Sequence, residues 1–222
     1  MLSWGIVVIM HEYQKGLRIT YFCYFCYNFL SPMSDIASNI LLLKKKLPPS
    51  VKLVAISKTR SADQILEAYN TGHRIFGENR VQELLSKKDL LPEDIEWHLV
   101  GHLQSNKVKY IVPFISLIHS VDSYRLLNVI NTEAGKINRI VDCLLQFHIA
   151  SEESKFGFSM DEVNEMVSST EFLQLKHVRI CGIMGMATFT DDMTQVRIEF
   201  RHLSECFKIM KESYFPDSEY FK

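Results

Sequence analysis

Lys58 is the residue whose type and position most directly suggest chemistry. It follows the apolar run Val51-Lys52-Leu53-Val54-Ala55-Ile56-Ser57 and precedes Thr59-Arg60-Ser61. Val, Leu, Val and Ile crowded together with no Gly or Pro among them read as a strand buried on both faces, the pattern of a parallel sheet. Lys58 then stands at the carboxyl end of that strand. In parallel sheets this is where sites are built, because the loops leaving that edge converge. A lysine stem packed on apolar neighbours can hold a neutral amine over a bound molecule, and a neutral amine attacks a carbonyl. Lysines also follow strands simply to reach water, and the octapeptide alone leaves both readings open.

Other arrangements fail on spacing. His98 and His102 are four apart, which would suit a metal on a helix. They lie on and just past a strand-like stretch, where four residues span about 13 Å, too far for one ion. No metal site is expected. The chain has no GxGxxG, no GxxxxGKS/T and no GxSxG, so nucleotide-loop and serine-hydrolase chemistry lack their anchors. Asp191-Asp192 reads as a helix cap. Met184 and Met186 alternate on a strand and would by themselves be core.

The elements that must position Lys58 alternate regularly. A helix is expected over 36–46, with Ser34 or Asp35 as its cap and Lys44-Lys45-Lys46 complementing the negative end of its dipole. Helices are expected over 62–70, through Val81, Leu84 and Leu85, after Gln104, over 124–136, over 160–168 and over 192–213. Strands are expected at 51–58, 74–76, 96–100, 117–120, 141–149 and 178–184. Their starts recur about every 20–25 residues, the βα rhythm of a parallel sheet.

Of the 222 residues, 47% are hydrophobic and 23% charged, as in an ordinary globular chain with one substantial core. A formal net charge of −1 gives no electrostatic case for nucleic acid. Five cysteines, at 23, 26, 143, 181 and 206, make no disulfide framework and point to a reducing, cytoplasmic compartment. Cys23 and Cys26 have the spacing of a metal or redox pair, but no second pair answers them. Residues 1–32 differ in texture, carrying two short apolar runs. Neither run reaches the roughly 18 residues of a membrane span, and a secretory signal fits poorly. This leader is expected to lie outside the fold.

Ala55-Ile56-Ser57-Lys58-Thr59, Phe76-Gly77-Glu78-Asn79-Arg80, the segment from Trp97 to Lys107, His119-Ser120-Val121-Asp122, Ser154-Lys155-Phe156-Gly157-Phe158 and Cys181-Gly182-Ile183-Met184-Gly185-Met186 form an ordered series. The series resembles the strand-end motifs of the pyridoxal phosphate homeostasis protein family, one-domain relatives of the alanine racemase barrel. The likeness runs from about residue 34 to 213 and is most specific from Trp97 to Lys107. It implies an α/β fold, a (β/α)8 TIM barrel of the alanine racemase N-terminal type.

Only six βα units are visible, and the 190 residues left without the leader fall short of the roughly 250 of a full barrel. The expected domain is therefore 33–222, a barrel truncated after about six units. The resemblance further implies pyridoxal 5′-phosphate as cofactor, held as a Schiff base on Lys58, with Asn79 and Met184 lining it. Lys107 and Lys155 match recurrent lysines of open role. In the family the cofactor phosphate is held after the seventh and eighth strands, so this chain is expected to bind the cofactor weakly.

The implied role is a non-catalytic, monomeric carrier that buffers pyridoxal phosphate and supplies apoenzymes, with no membrane or nucleic-acid partner. The alternative is a racemase-like enzyme using the same linkage. Racemisation needs a base on each face of the substrate carbon, and the second comes from a separate domain in the racemases. A fragment without function is a third reading, because an unclosed barrel exposes sheet edges.

Overall fold

The structure is a computed structural model and describes residues 36–151 and 156–221, together with the backbone of residues 5–14 and 17–26. Six strands, β3 (Lys52–Ile56), β4 (Ile75–Glu78), β5 (Glu96–Leu99), β6 (Leu117–Val121), β7 (Val141–Phe147) and β8 (Val178–Gly185), pair in parallel and in sequence order. Helices α1 (Ile36–Lys46), α2 (Ala62–Asn70), α3 (Val81–Lys88), α4 (Val108–Ile111), α5 (Tyr124–Gly135), α6 (Met160–Val167), α7 (Thr170–Leu173) and α8 (Met193–Ser213) precede, connect or follow them. Each expected strand and helix of the described region is present, with ends shifted by a few residues. Gln104 to Val108, expected on one helix, opens instead as a 3-10 turn at Ser105–Lys107 before α4 begins.

The strand sequences are mostly apolar because both faces are covered, with polar residues such as Glu78, His98 and His119 held inside by partners of their own. Successive side chains alternate between faces. Leu53 and Ala55 of β3, Phe76 of β4, Trp97 and Leu99 of β5, and Cys143 and Leu145 of β7 join the layer packed under the helices. Val54 and Ile56 point the other way and pack with Val100, Leu144 and Met184. That contact reaches from the first parallel strand to the sixth, so the sheet curls around a second, inner core.

The helix starts follow from their capping residues. Ser61 and Ser159 each form a capping box, with Gln64 and Glu162 as partners, and Ser123 caps α5. Asp192 accepts from the Thr194 and Gln195 amides, the cap role expected of that acid pair. At α1 the residues expected to cap, Ser34 and Asp35, lie outside the described residues. The amides of Ile36 and Ala37 donate to Glu67 Oε1 of α2 at 2.9 and 3.3 Å.

The leader expected to stand apart contributes backbone of two strands, β1 (Gly5–Gln14) and β2 (Leu17–Cys26). β1 pairs antiparallel with β3, and β2 with β1. Runs such as Ile6-Val7-Val8-Ile9 carry high β-propensity, and the free edge of β3 offers the unpaired backbone groups such a segment can join. The side chains of Cys23 and Cys26 lie outside the described residues. Among the described residues no helix is long and apolar enough to cross a membrane.

The inner face also holds two buried histidines. His119 Nε2 and His98 Nδ1 share a hydrogen bond of 2.9 Å, one ring donating and the other accepting. Burial, with the nearby Lys52 charge, pulls His98 down to about 3, and burial with His98 itself pulls His119 well below its ordinary value. Burial, with Lys44, takes His73 down to about 4. In each case the unfolded chain takes up a proton near pH 6.5 that the folded chain refuses. The stability that these neutral, buried histidines contribute is therefore complete above about pH 6.5 and is lost progressively as pH falls below it. Urea midpoints measured between pH 7 and 5 should fall accordingly, and His119→Gln should make the slope shallower.

Candidate functional site

Because β3 to β8 run parallel, their carboxyl ends share one edge of the sheet. Lys58 lies there, half-buried in the turn that follows Ile56 and Ser57. The next residue, Thr59, has φ +65°. A β-branched residue in the left-handed region costs about 1–3 kcal/mol and persists only when its surroundings over-determine it.

The surroundings are a buried polar cluster supplied by β4 and α3. Glu78, the last residue of β4, is 0% exposed. Its Oε1 accepts from Ser57 Oγ at 2.7 Å and from Lys87 Nζ at 2.8 Å. Lys87 Nζ also donates to the Ser57 carbonyl at 2.8 Å and to Glu83 Oε1 at 2.6 Å. Glu83 Oε1 in turn accepts from the Thr59 amide. Both neighbours of Lys58 are thus tied to α3, whose Glu83 and Lys87 stand four apart on one face. Burial pushes the Glu78 carboxyl up, and the hydrogen bonds from Lys87 and Ser57 pull against it. Burial acts the same way on Glu83, but the bonds from Lys87 and the Thr59 amide outweigh it and hold that carboxyl low.

Asn79 stands on the neighbouring strand exit. β3 and β4 pair with Ile56 opposite Gly77, so Lys58 and Asn79 each lie two residues beyond a paired position. Asn79 Oδ1 is buried without a hydrogen-bond partner, as is Glu78 Oε2. Unsatisfied buried polar atoms are costly and call for an explanation such as a bound group. Gly101, just past β5, lies against this residue. A Cβ there would fall 2.4 Å from the Asn79 carbonyl oxygen and 2.8 Å from its Cα. Met184 is fully buried in the inner core with Ile56, two residues before Lys58. The three expected site residues therefore belong to the carboxyl-end half of the sheet, Lys58 and Asn79 at the rim and Met184 on β8 in the inner core that also holds Ile56.

The other strand exits are also clamped. Ser120 Oγ donates to the Gly101 carbonyl at 2.7 Å. Glu199 of α8 accepts from the amides of Thr188 and Ser151, at 2.7 and 3.2 Å, joining the exits of β8 and β7. His102 and Asp122, after β5 and β6, are 3.0 Å apart, and the His102 ring stacks on Phe156 with centroids 4.3 Å apart. The two histidines rejected as a metal pair thus have separate partners, His119 and Asp122. Among the described residues no cluster of ligands could hold a metal. Lys107 lies in the 3-10 turn with its amine 5.9 Å from the Tyr110 ring centre. Lys155 lies outside the described residues.

The family model described as alanine racemase, N-terminal domain, matches residues 33–220. The chain is 38% identical over 164 residues to the pyridoxal phosphate homeostasis protein of Aquifex aeolicus, covering 73% of this chain and 71% of that one. The solved structure of PipY from Synechococcus elongatus with pyridoxal phosphate bound is similar at 34% identity and TM-score 0.73, over 81% of this chain and 84% of that one. The alanine racemase of Bartonella henselae, at 16% identity and TM-score 0.58 over 78% of this chain and 49% of that one, shares the fold.

Gly101→Ala should be destabilising by about 1–3 kcal/mol, because the methyl group meets Asn79 backbone rather than a yielding side chain. Chemical denaturation measures the loss, and a structure of the variant should show Asn79 displaced.

Proposed function

The chain belongs to the pyridoxal phosphate homeostasis protein family, and from that premise we propose that it holds pyridoxal 5′-phosphate as a Schiff base on Lys58 and serves as a non-catalytic carrier of that cofactor. The observation that carries the reading is the pairing of a half-buried lysine at the β3 exit with an unspent buried acceptor, Asn79 Oδ1, at the β4 exit. The cofactor supplies an aldehyde, which condenses with a primary amine as water leaves. Lys58 provides the amine, and the turn around it limits where that amine can reach. Asn79 Oδ1 accepts a hydrogen bond from a donor group of the ligand in this reading, satisfying an atom otherwise left without a partner. Met184, in the inner core that also holds Ile56, lines the floor beneath in this reading. The cofactor bound in the PipY structure supports the same assignment here.

In this reading the six parallel strands are an arc of a (β/α)8 barrel, and the site lies within 33–222, the span in which the family match falls. The protein acts as a monomer in the cytoplasm and passes the cofactor to apoenzymes. The relatives' naming as homeostasis proteins favours a carrier over a racemase.

Adding pyridoxal phosphate should produce the visible absorbance of a lysine Schiff base in the wild type and not in Lys58→Ala. Equal spectra would remove Lys58 from the role. L-Alanine incubated with the loaded protein should keep its optical rotation; its loss would favour the enzyme.

A further inference from the structure

We infer that Lys87 is a positioning residue for Lys58, acting on the two peptide units that flank it. This rests on the reading of Lys58 as the lysine that takes the cofactor.

Three contacts converge on one ammonium. Lys87 Nζ reaches the Ser57 carbonyl, Glu78 Oε1 and Glu83 Oε1 within 2.8 Å, and its side chain is only 10% exposed. The first contact fixes the residue before Lys58 directly. The third holds the carboxylate that binds the Thr59 amide, fixing the residue after it. The second anchors the ammonium on a carboxylate with no access to water. A buried lysine is normally explained by one counter-charge. Here it also spends a hydrogen bond on a main-chain carbonyl in the loop it supports, and the loop includes a threonine at φ +65°. An amine on a four-carbon stem samples many positions unless its Cα is held, so the clamp raises the fraction of time spent where condensation can occur.

The test separates positioning from mere stability. Lys87→Met should slow the appearance of Schiff-base absorbance by roughly tenfold or more, the scale expected of a misplaced reacting group. Affinity for pyridoxine 5′-phosphate, which carries an alcohol in place of the aldehyde, should stay near the wild-type value. If Lys87→Met does not fold because Glu78 is left uncompensated, the double variant Glu78→Gln/Lys87→Met removes both charges and should give the same slow rate. Glu83→Ala frees the Thr59 amide and should also slow the reaction, whereas Glu83→Gln keeps an acceptor for that amide and should restore most of the rate.

Folded variants that condense at the wild-type rate would overturn the inference. So would a parallel loss of rate and of pyridoxine phosphate affinity, which marks a general structural defect. If instead Lys58→Ala gives the wild-type spectrum, the reading of Lys58 has failed first and takes this inference with it. A wild-type spectrum lost in Lys58→Ala but kept at full rate in the Lys87 and Glu83 variants overturns this inference alone.

Discussion

A carboxylate shut away from water at the end of a strand must find a cation and hydrogen-bond donors close by, or it will lose its charge. Glu78 meets that demand with Lys87 and Ser57. The consequence reaches beyond one ion pair. Lys87 can arrive only if α3 lies against the exit of β3, and α3 does so by burying Val81, Leu84 and Lys87 on one face. Glu83, one turn earlier on that helix, then faces the loop and takes the Thr59 amide. The loop conformation around Lys58 is thus set by an electrostatic requirement on the neighbouring strand.

The sheet provides the second condition. Burial on both faces makes β3 apolar through Ile56, and alternation sends Val54 and Ile56 into an inner core shared with Val100, Leu144 and Met184. Parallel pairing brings all six exits to one edge, where short polar clamps fix them: Ser120 on Gly101, Glu199 on Thr188 and Ser151. A rigid rim of this kind suits a protein whose business is to hold a ligand in one place. The His98–His119 pair shows how polar residues are tolerated in the same interior, neutral and hydrogen-bonded to each other.

Much of this was legible in the sequence, for identifiable reasons. The strands of the βα units announce themselves because two-sided burial leaves unbroken runs such as Leu53 to Ile56, and α2 and α6 carry capping boxes that mark their first residues. Lys58 and Asn79 were legible as candidates, the first through its strand-end position and both through family resemblance. The clamp beneath them was not. Glu83 and Lys87 at four-residue spacing look like a solvent-exposed ion pair, and nothing local reveals that Glu78 would be fully buried beside them. A charged residue at a strand's last position, followed within ten residues by an acid and a lysine on one helical face, is the signal that could have raised it. The 3-10 start at Ser105–Lys107 was missed because it differs from an α-helix by one hydrogen-bond register. The strands within residues 5–26 were less legible because their β-propensity takes effect only through partners, β1 on the edge of β3 and β2 on β1.

If one amine among the chain's lysines is singled out by its place at the rim, the cofactor should condense there in preference to the others. Borohydride reduction of the protein equilibrated with substoichiometric pyridoxal phosphate, followed by peptide mass mapping, reads this directly. A phosphopyridoxyl group concentrated on the peptide containing Lys58 is the expected result. A label spread over exposed lysines such as Lys44, Lys45 and Lys46, with none preferred, would contradict it.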